Sequence, residues 1–432
     1  MILETKGYAY NDLTLVPKTI SRVSSRSQCD TFIDGKLPIF TAPMASVVSN
    51  KNYKEFINNN IMPIIPRNID LNIRKEMMEY SWVALSLNEF KELFINKYFI
   101  NKYNEIKTNN TYHICVDIAN GHMESLYKIC SLAKYYALKH NYILVIMTGN
   151  IANPDTYKWI CEFNYKNDYK IIDYIRVGIG GGSGCITTSN VSAHYPQASL
   201  INECYKYKKY YLNYTYKDVC PKIVADGGIR NYDHVIKALA LGADYVMIGS
   251  LFAQCIESAG EKYDGTHTKF DVNDYKSLRI ENGGVFGYLT EDGMKKKLVE
   301  LEEKKNTGYY RKYIPLETLA LREEAAIEYM DHLYDNDYLN LSKERYLGQC
   351  TVKFFGMASK DGQISISGEK TKTAEGITKY LDVKYTINGW VENMIAYLRS
   401  AMSYCDSLTL NEFIGKQDLI PNSISEINAV NK

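Results

Sequence analysis

Residues 222–250 read KIVADGGIRNYDHVIKALALGADYVMIGS. An apolar run at 222–225 ends in Asp226-Gly227-Gly228, an amphipathic stretch covers 231–241, and a second apolar run at 245–248 ends in Gly249-Ser250. The pattern is strand, helix, strand, with no polar alternation in either strand. Strands of that kind are buried on both faces, as in a parallel sheet covered by helices. Similar runs occur upstream at 38–42, 61–65, 82–87, 113–118, 143–147 and 174–179. Eight such strands separated by helix-length segments predict a closed (β/α)8 barrel rather than an open sheet.

The pattern breaks after the eighth strand. A polar, charged segment follows, with helical stretches near 291–305 and 316–333, then a Gly- and Ser-rich loop at 356–376 and a helix near 389–403. We therefore expect a TIM-barrel catalytic domain from 1–263 and 351–432, a helical subdomain inserted at 264–350, and a C-terminal flap.

Composition narrows the function. The chain has 432 residues, 46% hydrophobic and 23% charged, with net charge +1. That balance suits a globular protein and gives no general electrostatic case for nucleic acid or an anionic membrane. No segment is long and apolar enough to span a bilayer, and the start has no secretory pattern, so a cytoplasmic location is expected. The ten cysteines are scattered without a CxxC pair, which argues against zinc and for free thiols.

The strand ends concentrate small and polar residues where barrel enzymes place their sites. A glycine after a strand also simply makes a turn, but six such ends together favour a site. The strongest is GIGGGSGCITT at 178–188. Glycines let ligands approach the backbone closely, and a cysteine on such a loop attacks an electrophilic carbon once it is a thiolate. Cys185 is thus the candidate nucleophile. Asp226 suits ribose hydroxyls or, equally, a helix N-cap, and the loops after the last two strands suit a phosphate.

These residues resemble the inosine monophosphate dehydrogenase and guanosine monophosphate reductase family. The resemblance spans 8–262 and 352–410 and rests on an ordered set: YNDL at 10–13, SRS at 25–27, GIGGGSGCITT, ADGGI, MIGSLFA, ESAGE and FFGMAS. It implies a purine nucleoside monophosphate substrate, a nicotinamide cofactor and a covalent bond from Cys185 to purine C2. It further implies that Asp226, Gly227, Gly228, Gly249 and Ser250 hold ribose and phosphate, with Ser183 beside the nucleotide. Gly356, Met357, Ala358, Lys372, Thr373, Ala374 and Gly376 would surround the purine. Ser25, Arg26, Asp117, Ile118, Ala119, Ile179 and Gly180 resemble cofactor contacts. So do Ser400, Ala401, Met402 and Ser403, some of them reaching a neighbouring subunit of a homotetramer. A potassium ion would sit on Gly180, Gly182 and Cys185.

The branch turns on the flap. DIANGH at 117–122, YPQ at 195–197 and the flap GEKTKTAEG at 368–376 are similar to the reductase. That branch converts GMP to IMP with NADPH, using a Thr–Glu pair on the departing ammonia; here the pair is Thr187 and Glu375. A dehydrogenase, oxidising IMP to XMP with NAD, would carry an Arg-Tyr pair in its flap. None lies between Gly356 and Glu375, although Arg345-Tyr346 precedes the FFGMAS turn. Gly181 and Gly184 add glycine where the family carries larger residues, which predicts a looser loop. The dehydrogenase stays open as an alternative, as does a silent nucleotide-binding or assembly protein whose insertion recruits a partner.

Overall fold

A computed structural model describes residues 7–96, 111–182, 184, 186–214, 218–264, 267–270, 347–369 and 373–423. Eight parallel strands form its main sheet: β1 Ile39–Thr41, β2 Ile64–Ile65, β3 Trp82–Leu85, β4 Thr111–Val116, β5 Ile143–Ile151, β6 Tyr174–Val177, β7 Lys222–Asp226 and β8 Tyr245–Ile248. They follow one another in chain order, and β8 returns beside β1. A parallel bridge between Phe40 and Met62, with the Thr41 N–H donating to Met62 O at 3.0 Å, closes the ring. This is the (β/α)8 barrel expected from the strand pattern. β2 is shorter than the run at 61–65 suggests. Pro63 and Pro66 flank it and have no N–H to offer a ladder.

Helices α1 Tyr53–Asn58, α2 Leu71–Met77, α3 Leu87–Phe94, α4 Glu124–Lys139, α5 Pro154–Lys166, α6 Gln197–Tyr214 and α7 Tyr232–Ala240 each follow a strand. Local chemistry sets several starts. Ser86 and Glu89 cap α3 reciprocally, at 3.2 and 2.7 Å, and Asn153 accepts the Asp155 N–H at 2.9 Å with Pro154 opening α5.

After β8 the chain makes one helical turn, Ser250–Ala253. Further on come β9 Thr351–Phe355, α8 Lys360–Ser367, β10 Thr378–Asp382 and α9 Ile387–Tyr404. α9 packs on α7 and completes the ring of barrel helices. The segment 356–376, expected as a loop, contains the two turns of α8, because Ser359 caps them by accepting the Gly362 N–H at 3.1 Å.

The chain divides into two compact units, one of Met1–Gly260, Val352–Leu381 and Tyr385–Lys432, the other of Glu261–Thr351 and Asp382–Lys384. In the second, Lys262–Tyr263 and Lys269–Phe270 form an antiparallel hairpin, braced by Lys269 on Glu261 at 2.5 Å. The helical stretches expected at 291–305 and 316–333 lie outside the described residues. Among the described residues, no helix is long and apolar enough to cross a membrane.

The barrel interior is filled rather than hollow. Tyr174, Tyr245 and Trp82 open their strands and meet Phe40 edge-on or tilted, with ring centroids 5.1–6.0 Å apart. This aromatic layer closes the N-terminal end. Inward residues recur every second position along a strand, so the residue two beyond Tyr174 is again inward, nearer the C-terminal mouth. That residue is Arg176.

Candidate active site

The loops expected to form the site meet at the C-terminal mouth. Gly181 O accepts the Gly228 N–H at 2.9 Å, which lays the loop after β6 against the loop after β7. The flap closes from the other side. The Ile377 N–H donates to Gly184 O at 3.0 Å, and the Ile186 N–H donates to Glu375 O at 3.1 Å. Both chain neighbours of Cys185 are therefore bonded to the segment that carries Glu375. The segment is itself fixed by the Glu375 N–H on Ala358 O at 3.0 Å and the Gly356 N–H on Ile377 O at 3.3 Å. Ser183, Cys185 and Lys372 lie outside the described residues, as do the Thr187 side chain and the Arg345-Tyr346 pair.

Gly184 does not behave as the loosening residue expected. It is buried, and a Cβ there would stand 2.9 Å from Gly356 N and 3.1 Å from Phe354 Cε1. Its missing side chain is what lets the flap backbone approach.

Met357 and Ala45 bring the end of β1 to the flap, the Ala45 N–H reaching Met357 Sδ at 3.4 Å. Gly249 lies on the same rim, where a Cβ would meet Met44 Sδ at 3.1 Å. Ser250 opens the helical turn after β8, and Thr373, Ala374 and Gly376 run along the flap with Gly376 buried.

Asp226 ends β7 and is not a helix cap, since α7 begins after Asn231. Its Oδ2 accepts from Arg176 Nε and Nη2, each at 2.9 Å, and from Asn150 Nδ2 at 2.7 Å. Arg176 Nη1 also donates to Asp117 Oδ1 at 2.7 Å. Burial opposes the guanidinium charge, but the carboxylates of Asp226 and Asp117 outweigh it and raise its pKa, so it stays protonated. The same burial pushes the Cys115 thiol up to about 12, keeping it protonated inside the barrel. Motif reading did not single out Arg176 or Asn150 as site residues. The available signal was a lone charge at an inward position of a buried strand.

A second residue missing from the motif reading is His234 on α7. One ring nitrogen lies 2.9 Å from Gly228 O and the other 2.6 Å from Asn11 Oδ1, so it ties the loop after β7 to the N-terminal YNDL segment. Burial holds its pKa below the ordinary histidine range. The unfolded chain therefore takes up this proton first as pH falls, and the His234 contribution is present above about pH 6.5 and lost below it. Thermal unfolding across pH 5–7 should show wild-type stability falling more steeply on acidification than that of His234→Gln. Parallel curves would contradict this.

The residues that resemble cofactor contacts fall in two groups. Asp117, Ile118 and Ala119 follow β4 at the mouth, while Ile179 and Gly180 follow β6. Beside Asp117, Arg67 Nη1 approaches Asp117 O at 3.4 Å, and buried Arg67 Nε and Asn68 Oδ1 have no hydrogen-bond partner among the described residues. Ser25 and Arg26 instead meet α9, where Arg26 Nη1 donates to Ser400 Oγ at 3.2 Å. Ala401 and Ser403 are half-buried near them. Met402 is not available as a side-chain contact, because it is fully buried in the core.

A family model described as "IMP dehydrogenase / GMP reductase domain" matches residues 7–279. The chain belongs to this family. Among curated relatives, a GMP reductase of Staphylococcus saprophyticus is 28% identical over 315 residues, covering 66% of this chain and 87% of that protein. A GMP reductase of Staphylococcus aureus is 29% identical over 295 residues, covering 63% of this chain and 82% of the relative. The family is one of purine nucleotide oxidoreductases, and the gathered strand ends and flap are the part of this barrel that would carry such chemistry.

Proposed function

We propose that this chain reduces GMP to IMP with NADPH, releasing ammonia. The observation that carries the reading is the backbone pairing of Glu375 and Ile377 with the two neighbours of Cys185. The printed names of the relatives point the same way.

The Cys185 thiolate forms a bond to purine C2, which becomes tetrahedral. The 2-amino group then leaves as ammonia and needs a proton, which Thr187 and Glu375 hold and pass to the departing nitrogen. The nicotinamide, when bound, supplies a hydride to C2, and the sulfur leaves to give IMP. Asp226 receives the ribose hydroxyls through the oxygen that takes no bond from Arg176 or Asn150, while the Gly227-Gly228 and Gly249-Ser250 loops take the phosphate. Gly356, Met357, Ala358 and Lys372 to Ala374 line the purine with Ser183, and the flap keeps water from the adduct.

The residues fit a nicotinamide cofactor: Asp117 and the unpartnered Arg67 Nε and Asn68 Oδ1 offer donors and acceptors side by side at the mouth. Ser25 and Arg26 gather at Ser400 on α9, and we assign this group to the cofactor of a neighbouring protomer in a homotetramer. A potassium ion also fits. Buried Thr188 Oγ1 has no hydrogen-bond partner among the described residues and stands where a Cβ on Gly180 would be, and we assign the ion to the backbone oxygens of Gly180, Gly182 and Cys185. All of these are hard oxygen donors. Free thiols and a nucleotide substrate suit a cytoplasmic enzyme.

Incubation with GMP and NADPH should give IMP and ammonia in equal amounts. Ammonia without IMP, or neither product, would overturn the assignment.

A further inference from the structure

Arg176 is buried at the C-terminal end of the barrel interior, and its fork reaches two carboxylates from non-adjacent strands. Asp117 follows β4 and Asp226 ends β7, with β5 and β6 between them in the sheet. Nη1 takes Asp117 at 2.7 Å, while Nε and Nη2 take Asp226 at 2.9 Å. Among the described residues, the side-chain donors on Asp226 all fall on Oδ2 and none on Oδ1; Asp117 Oδ2 is 3.8 Å from Arg67 Nη1. A guanidinium is planar and presents several N–H groups in fixed directions, whereas an ammonium is a point charge that serves one carboxylate well.

We propose that Arg176 is a positioning residue that ties the nucleotide-side carboxylate to the cofactor-side carboxylate, so that a ligand ordering one orders the other. The inference rests on the reading of Asp226 and Asp117 given above. The two ligands then bind with positive coupling, reciprocal in size. Removing the fork uncouples them without touching the reacting atoms. In this arrangement Arg176 acts through the two aspartates that its fork holds.

The test uses the full chain and calorimetry with two ligand pairs, GMP with NADP+ and IMP with NAD+. Each ligand is titrated alone and then in the presence of its partner. In the wild type, each should tighten the other roughly fivefold or more. In Arg176→Lys, which keeps the charge, that factor should fall to near one, and KM should rise for nucleotide and cofactor together. In Arg176→Gln the two carboxylates lose their shared cation, so nucleotide and cofactor affinities should both fall further than in the lysine variant, with the coupling again near one. A merely structural role would lower the melting temperature and the active fraction, yet leave the coupling unmoved.

Wild-type coupling retained in folded Arg176→Lys overturns the inference and leaves the functional reading standing. Failure of the wild type to bind either pair overturns both. If Arg176→Gln does not fold, the lysine variant decides alone.

Discussion

Cys185→Ala is expected to lower GMP turnover by about 10⁴-fold or more while nucleotide binding persists, as when a nucleophile without a substitute is removed. The case for no substitute comes from the other thiols. The nine described cysteines are all free and buried. Cys115 is the one beside the Arg176 network, and burial pushes its thiol up to about 12, so at neutral pH it offers almost no thiolate. Ribose and phosphate contacts are assigned to the ends of β7 and β8, outside the cysteine loop, so the alanine variant should still titrate with GMP. Substantial residual turnover would mean a different nucleophile, and loss of binding as well would mean a collapsed loop.

The second large effect is expected at the flap. Glu375→Gln should lower kcat by about 10²–10⁴-fold, the range for loss of a positioned proton donor. The backbone bonds from Glu375 to Ile186 and Ala358 do not use its side chain, so the flap should still lie against the cysteine loop. The defect should fall on ammonia release. Rapid-quench measurement of ammonia and of NADPH oxidation separates the steps. Slowing of ammonia formation with hydride transfer preserved from a preformed adduct supports the relay, whereas equal slowing of both removes Glu375 from it.

The barrel was legible because parallel strands covered on both faces read as unbroken apolar runs. The 222–250 stretch maps directly onto β7, α7 and β8. Boundaries failed where a local rule overrode hydrophobicity, as at β2, held between Pro63 and Pro66, and at α8, where Ser359 starts a helix in a segment rich in Gly and Ser. The completion of the ring by α9 was harder to see, because the insertion separates it from β8 in sequence while α7 receives it in space. Motifs located the loops but not what braces them. Arg176 interrupts an apolar strand, and only the closed barrel brings Asp117 and Asp226 to it. His234 looks like one polar residue on a helix until the chain start folds Asn11 onto it. Gly184 read as slack because the flap it accommodates is remote in sequence.

The most direct test compares kcat/KM for GMP with NADPH against that for IMP with NAD, on one preparation of the full chain with potassium present. The account predicts efficient NADPH oxidation with GMP, IMP as product, and little or no NAD reduction with IMP. Robust NAD reduction with IMP, without turnover of GMP, would make the chain a dehydrogenase, and nucleotide binding without turnover in either direction would make it a binding or assembly protein.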